Sequence, residues 1–165
     1  MHTSRRIPSR RRFRRLMSFW GLLALFLTVW TLLVGRPAEA QEVTVYKNAS
    51  CGCCGKWVEH LKANGFQVKT VNLDQNRLYR IKQKFGVRSD QQACHTAVVD
   101  GYVVEGHVPA RVIRRLLRER PDVKGLTVPG MPLGSPGMEG PNAQPYPVLT
   151  FDGKGNSRIY ETVRP

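Results

Sequence analysis

Cys51-Gly52-Cys53-Cys54 places three sulfurs within four residues, and Cys94 is the fourth cysteine of the chain. Thiols at this density support three chemistries. A redox disulfide needs two cysteines separated by two residues, which Cys51 and Cys54 provide, but it leaves Cys53 and Cys94 as surplus thiols beside the pair. A purely structural role would close two disulfides. A bond between the neighbours Cys53 and Cys54 would be strained, whereas Cys51 or Cys53 could reach Cys94. A metal site would use the thiolates as soft donors for Cu(I), zinc or iron–sulfur chemistry. The spacing lacks the two separated Cys-x-x-Cys pairs of zinc sites and is tighter than iron–sulfur motifs. Thiolates can bridge several Cu(I) ions, which a compact cluster favours, so copper is the expected metal.

Further soft donors recur along the chain. Pro129-Gly130-Met131 is repeated as Pro136-Gly137-Met138. A thioether is an uncharged ligand suited to Cu(I); the alternative is a loop methionine covering an apolar patch. His95 follows Cys94 directly, which puts it at the rim of the cluster, and His107 precedes a helical segment. Imidazole serves either oxidation state of copper. The alternative for each is a hydrogen-bonded structural histidine, and that is the preferred reading for His60, six residues beyond Cys54.

The elements that must carry these residues follow from the pattern of apolar positions. Val43 to Tyr46 is a short β-rich run leading through Asn48-Ala49-Ser50 into the cysteines. Cys54, Trp57, Val58 and Leu61 fall at i, i+3, i+4 and i+7, the stripe of an amphipathic helix, and Asn64-Gly65 ends it. On that stripe Cys54 also reads as a buried, inert thiol. Phe66 to Leu73 alternates as a strand would. Leu78, Ile81 and Phe85 mark a second helix, and residues 88–95 a polar loop carrying Cys94 and His95. Thr96–Val99 and Tyr102–Glu105 flank Asp100-Gly101, the signature of a tight hairpin. Pro109 suits the start of a third helix, whose buried face is Val112, Ile113, Leu116 and Leu117; Arg111, Arg114, Arg115, Arg118 and Arg120 give it a solvated basic face. Residues 125–147 are rich in Pro and Gly, a composition unsuited to helix or central strand, and read as a loop. A terminal hairpin follows around Asp152–Asn156.

The order is β-(Cys)-α-β-α-loop-β-β-α, an α/β chain with a thioredoxin-like sheet and flanking helices, extended by the Pro/Gly/Met loop and the C-terminal hairpin. A strand delivering cysteines to a helix N-terminus has a physical logic. The free N–H groups and partial positive charge there favour thiolate over thiol. The expected division is 1–40 as a signal segment, 41–124 as the metal-binding domain, and 125–165 as a loop and hairpin packed on it.

The chain of 165 residues carries a formal charge of +14. Half of it lies in residues 1–40, with eight Arg and one acidic residue; residues 41–165 hold 18 Lys+Arg against 11 Asp+Glu. Seven arginines up to Arg15 precede an uncharged stretch from Leu16 to Gly35, and Ala38-Glu39-Ala40 offers small residues where a signal peptidase reads them. This is the pattern of a secretory signal. The apolar stretch is also long enough to span a bilayer, so an uncleaved anchor is the alternative, with the basic flank inside and the rest exported. Ser9-Arg10-Arg11-Arg12-Phe13 resembles a twin-arginine motif, though the strongly apolar stretch favours the ordinary export route. For an exported chain, nucleic acid is not the expected partner.

Several separated motifs together carry a family resemblance. They run from Val45-Tyr46-Lys47 and Cys51-Gly52-Cys53-Cys54-Gly55-Lys56-Trp57 through Cys94-His95-Thr96-Ala97 and Gly106-His107-Val108-Pro109-Ala110. Gly125-Leu126, Val128-Pro129-Gly130-Met131-Pro132 and Gly134-Ser135-Pro136-Gly137-Met138-Glu139 complete the set. In this order, over residues 43–141, they resemble the CopG-like periplasmic copper-resistance proteins, which are distinct from the plasmid repressors of that name. The resemblance implies a thioredoxin-like fold, copper bound by Cys51, Cys53, Cys54 and Cys94 as a sulfur-bridged Cu(I) cluster, and a role in copper resistance with Cu(I)/Cu(II) interconversion. Copper ions and periplasmic copper-handling proteins are the implied partners. Sequestration and copper oxidoreductase activity both fit these residues, and a thiol–disulfide oxidoreductase using Cys51 and Cys54 is the rival.

Overall fold

The structure is a computed structural model and describes residues 41–165; the expected signal segment, residues 1–40, lies outside the described residues. Among the described residues no helix is long and apolar enough to cross a membrane. The elements are β1 (Glu42–Lys47), α1 (Gly52–Ala63), β2 (Gln67–Asn72), α2 (Gln75–Lys84), a 3-10 turn (Ser89–Gln91), β3 (Thr96–Val99), β4 (Tyr102–Glu105), α3 (Ala110–Glu119), β5 (Gly125–Thr127), β6 (Tyr146–Phe151) and β7 (Ser157–Val163). All seven strands form one sheet in the order β2-β1-β3-β4-β5-β6-β7. The fold is therefore α/β with three helices, as the apolar pattern predicts.

Local chemistry explains the boundaries. The stripe of α1 is buried as expected at Cys54, Trp57, Val58 and Leu61, and the chain leaves the helix through Gly65 at φ 79°. Asp74 caps α2, its carboxylate accepting from the Arg77 N–H at 2.8 Å, the usual way of satisfying a free first-turn donor. Asp100 and Gly101 both adopt positive φ and join β3 to β4 in the tight turn that this dipeptide favours.

Strand alternation splits the core between the two faces of the sheet. Val43, Val45, Ala97, Val99 and Val104 point into the larger cluster with Trp57 and Leu61 of α1 and Val112, Ile113 and Leu116 of α3. Val103 points the other way, into a smaller cluster with Val87 and Phe151 against which Phe85 packs. Helices α1 and α3 thus share one face. They are tied by the Trp57 indole N–H donating to the Val108 carbonyl at 2.9 Å and by the Ala110 N–H donating to His60 Nε2 at 3.1 Å. His60 is accordingly a structural histidine, satisfying a first-turn donor of α3, whose N-cap Pro109 has no side-chain donor or acceptor.

The region after Lys124 departs from expectation. Gly125–Thr127, read from composition as part of the loop, forms a short central strand between β4 and β6. Three residues are too few to show alternation, and the Pro/Gly content that excludes a central strand begins only at Pro129. The C-terminal hairpin, β6 with β7, continues the same sheet. Gly125 makes the close parallel approach to β4 feasible, because a Cβ there would stand 1.8 Å from the Val103 carbonyl oxygen. Substituting Gly125→Ala forces strand β5 off its neighbour and is expected to cost about 3 kcal/mol, the upper end for overpacking. Urea denaturation of the two proteins measures this.

Candidate metal centre

The end of β1 and the first turn of α1 deliver three of the cysteines. Cys51 occupies the N-cap of α1 in extended conformation, and its sulfur accepts from the Cys54 N–H at 3.4 Å. Cys53 and Cys54 then lie within the first turn, which contains no acidic residue to oppose the partial positive charge of the helix end. Cys94 arrives from the loop before β3. One donor atom from each of Cys51, Cys53, Cys54 and Cys94 lies within 4.8 Å of every other, and Cys54, Cys94, His95 and His107 form a second such set. Cys54 and Cys94 belong to both, so the sulfur cluster and the histidine pair are contiguous.

Two of the thiols are joined in this structure, as a Cys51–Cys54 disulfide with Cα atoms 5.4 Å apart. Cys53 and Cys94 are free. The Cys53 sulfur stands 3.6 Å from that of Cys51 and 4.0 Å from the Met131 thioether. Burial, with a smaller contribution from the neighbouring Cys53, pushes the Cys94 thiol up to about 12. Without metal, Cys94 is therefore a neutral S–H at physiological pH.

His107 provides the acceptor for that S–H. Its Nδ1 is 2.8 Å from the Pro136 carbonyl oxygen, which can only accept, so the Nδ1 carries the proton. Nε2 is then a free lone pair 2.9 Å from the Cys94 sulfur. A carbonyl that fixes the tautomer and aims the other nitrogen is the usual support of a metal-ligating histidine. His95 is wholly buried, with its ring 4.3 Å from Trp57 and 5.2 Å from His107 between centroids. Its Nδ1 is 3.4 Å from the Cys94 sulfur, and its Nε2 has no hydrogen-bond partner among the described residues. A buried polar atom left unpaired costs about 1–3 kcal/mol. The donor chemistry of this corner thus suits a soft metal ion.

The Pro/Gly/Met loop folds over the first turn of α1. Gly137, at φ 89°, lies so close that a Cβ would be 2.7 Å from the Cys53 carbonyl oxygen. This contact seats Pro136 against His107. Of the two framed methionines, Met131 brings its sulfur to Cys53 while remaining 49% exposed. Met138 is engaged through its backbone, donating N–H to Ser135 and accepting from Gly134 N–H. The site therefore has a buried floor of Cys54, His95 and His107 and an open rim of Cys53 and Met131.

A family model described as a protein of unknown function, DUF411, matches residues 91–138, which include Cys94, both site histidines and the framed methionines. Two solved structures of a copper resistance protein CopG match more of the chain. Form 2 is 42% identical, covering 76% of this chain and 100% of its own, with a TM-score of 0.70. Form 1 is 41% identical, covering 77% and 100%, with the same TM-score. The chain belongs to the CopG copper-resistance family. A search of curated protein sequences returns no match.

In this CopG-family chain the sequence pattern missed two charged residues beneath the site. Glu105 is fully buried, and its carboxylate accepts from the Ala93 N–H at 2.7 Å and from the Thr96 hydroxyl at 2.6 Å. Lys82, itself 3% exposed, closes an ion pair with it. Burial pushes the Glu105 carboxyl up, while Lys82 and the hydrogen bonds pull it back. No local motif flags the pair, though a lysine four residues after Leu78 on the buried side of α2 was the available hint.

Among the described residues all three histidines are held below the usual 6.5, with burial the largest cause in each. Each folded-state pKa is depressed, so the stability that the neutral rings contribute is complete above about 6.5 and is lost as pH falls below it. The metal-free protein should therefore melt at progressively lower temperature between pH 7.5 and pH 5. His60→Gln keeps an acceptor for Ala110 but cannot take up a proton, and should flatten part of that slope in thermal melts.

Proposed function

We propose that this chain is an exported, periplasmic copper-binding protein of copper resistance, holding Cu(I) through Cys51, Cys53, Cys54 and Cys94. His107, His95 and Met131 complete the donor set, and Met138 lies on the same loop. The observation that carries this reading is the meeting of sulfur and imidazole donors from two distant stretches of chain, within 4.8 Å of one another. Kinship with the copper resistance protein CopG supports the choice of metal. The donor types support Cu(I): thiolate and thioether are soft, and the two overlapping donor sets have room for more than one ion. The strand order β2-β1-β3-β4, with the cysteines between β1 and α1, supports a thioredoxin-like reading of this part of the sheet. The cargo is then copper received from other periplasmic copper-handling proteins, and conversion between Cu(I) and Cu(II) is a natural property of a site offering both sulfur and imidazole.

The disulfide sharpens the test. With Cys51 and Cys54 joined, two of the four thiolates are unavailable, so full loading requires a reductant. Anaerobic titration of the reduced protein against a Cu(I) chelator is expected to show several equivalents bound per chain, and fewer when the disulfide is left closed. Cys94→Ser should lose part of the reduced protein's capacity. Unchanged stoichiometry in that variant defeats the shared site.

A second reading, thiol–disulfide exchange through Cys51 and Cys54, is favoured by the disulfide itself at the N-terminus of α1. It requires insulin reduction or substrate oxidation that persists in Cys94→Ser and Met131→Ala. The copper reading expects no such turnover.

A further inference from the structure

Lys82 and Glu105 form a buried ion pair in a layer that could have been filled by apolar side chains. Such pairs contribute little net stability, because the cost of desolvation consumes the attraction between the charges. Stability alone therefore does not explain this one. Its hydrogen bonds do suggest a use. The Glu105 carboxylate accepts from Ala93 N–H, one residue before Cys94, and from the Thr96 hydroxyl, one residue after His95. Lys82 reaches the carboxylate and also donates to the Thr96 oxygen at 3.2 Å. Three chain segments thus converge on one side chain: helix α2, the loop carrying Cys94, and the start of β3. Immediately after Glu105, the Gly106 N–H donates to the His95 carbonyl at 3.0 Å, and the next residue is His107.

We propose that Glu105, neutralised by Lys82, is the positioning residue of the metal centre: it holds the chain on both sides of the Cys94–His95 dipeptide, at the Ala93 N–H and at the Thr96 side-chain hydroxyl, and so fixes the Cys94 sulfur opposite His107 Nε2. Glu105 touches no donor atom itself and acts through Ala93 and Thr96. The carboxylate is suited to this role because its two oxygens accept from all three partners at once, where an amide offers a single acceptor oxygen. Lys82 supplies the counter-charge that lets the carboxylate remain ionised in an apolar layer, and it places a cation where it also acts on Cys94 and His95. The metal-binding part of the inference rests on the Cu(I) reading above; the positioning part does not.

The test compares three variants of the chain without and with metal. Lys82→Met with Glu105→Leu replaces the pair by apolar groups and is expected to fold with an unfolding midpoint near that of the wild type. In the metal-free protein the Ala93 amide should exchange its hydrogen about tenfold faster, and Cu(I) should be held about tenfold more weakly in chelator competition, the scale of one lost hydrogen bond to a charged group. Lys82→Met with Glu105→Gln keeps an oxygen for the Ala93 N–H and should recover most of both. Glu105→Asp keeps the charge but withdraws it by one methylene, and should show the same losses; it carries the test if the apolar pair fails to fold. Wild-type Ala93 exchange and wild-type Cu(I) affinity in a folded Lys82→Met/Glu105→Leu or Glu105→Asp variant overturn the proposal. Failure of the wild type to bind Cu(I) would defeat the copper reading instead, and Ala93 exchange would still decide the positioning role.

Discussion

The segment from Glu105 to Ala110 ties the candidate site together. Every residue in it is buried, and almost every one holds a different piece of the molecule. Glu105 takes the Ala93 N–H, Gly106 donates to His95, and His107 spans Cys94 and Pro136. Val108 receives the Trp57 indole, and Ala110 donates to His60. A buried backbone must place each of its polar groups on a partner. Here those obligations are met by the same side chains that line the cysteine cluster. The position of helix α1, and with it three of the sulfurs, is therefore coupled to the position of the fourth.

The coupling explains why a small domain can hold a crowded sulfur site without collapsing it. Trp57 is fully buried one turn beyond Cys54, and truncating a core residue of that size costs about 3–5 kcal/mol. Its indole packs against the His95 ring at a tilt of 42° and bonds the strand exit that leads from His107 into α3. Core packing and donor geometry are thus maintained by the same contacts. The loop carrying Met131 completes the arrangement from outside, held by the Gly137 contact and by the single carbonyl that sets the His107 tautomer.

Much of this was legible in the sequence where the signal is local. The apolar stripe through Cys54, Trp57, Val58 and Leu61 fixed α1, Asp100-Gly101 fixed the β3–β4 turn, and the density of cysteines pointed to soft-metal chemistry. The repeated Pro-Gly-Met frame singled out the two methionines, and adjacency to Cys94 and to the third helix singled out His95 and His107. What stayed hidden depends on long-range contacts. Glu105 reads as the polar end of an alternating strand and Lys82 as an ordinary helix lysine; only the fold brings them together and buries them. Strand β5 is too short for periodicity to register, and its place in the sheet is determined by the absence of a side chain at Gly125. The closed pairing of Cys51 with Cys54 was one of several pairings open to four cysteines, and spacing alone does not choose among them.

The two overlapping donor sets contain only cysteine and histidine. Glu105, the buried carboxylate beneath the site, has its oxygens already occupied by Lys82, Thr96 and Ala93, and Glu139 on the covering loop is held by the Gly137 N–H. Magnesium and calcium are hard cations that bind through oxygen, and magnesium also gives up its water reluctantly, so these nitrogen and sulfur donors offer them little. Selectivity against the abundant hard cations is thereby built in by omission, without any group that has to recognise and reject them.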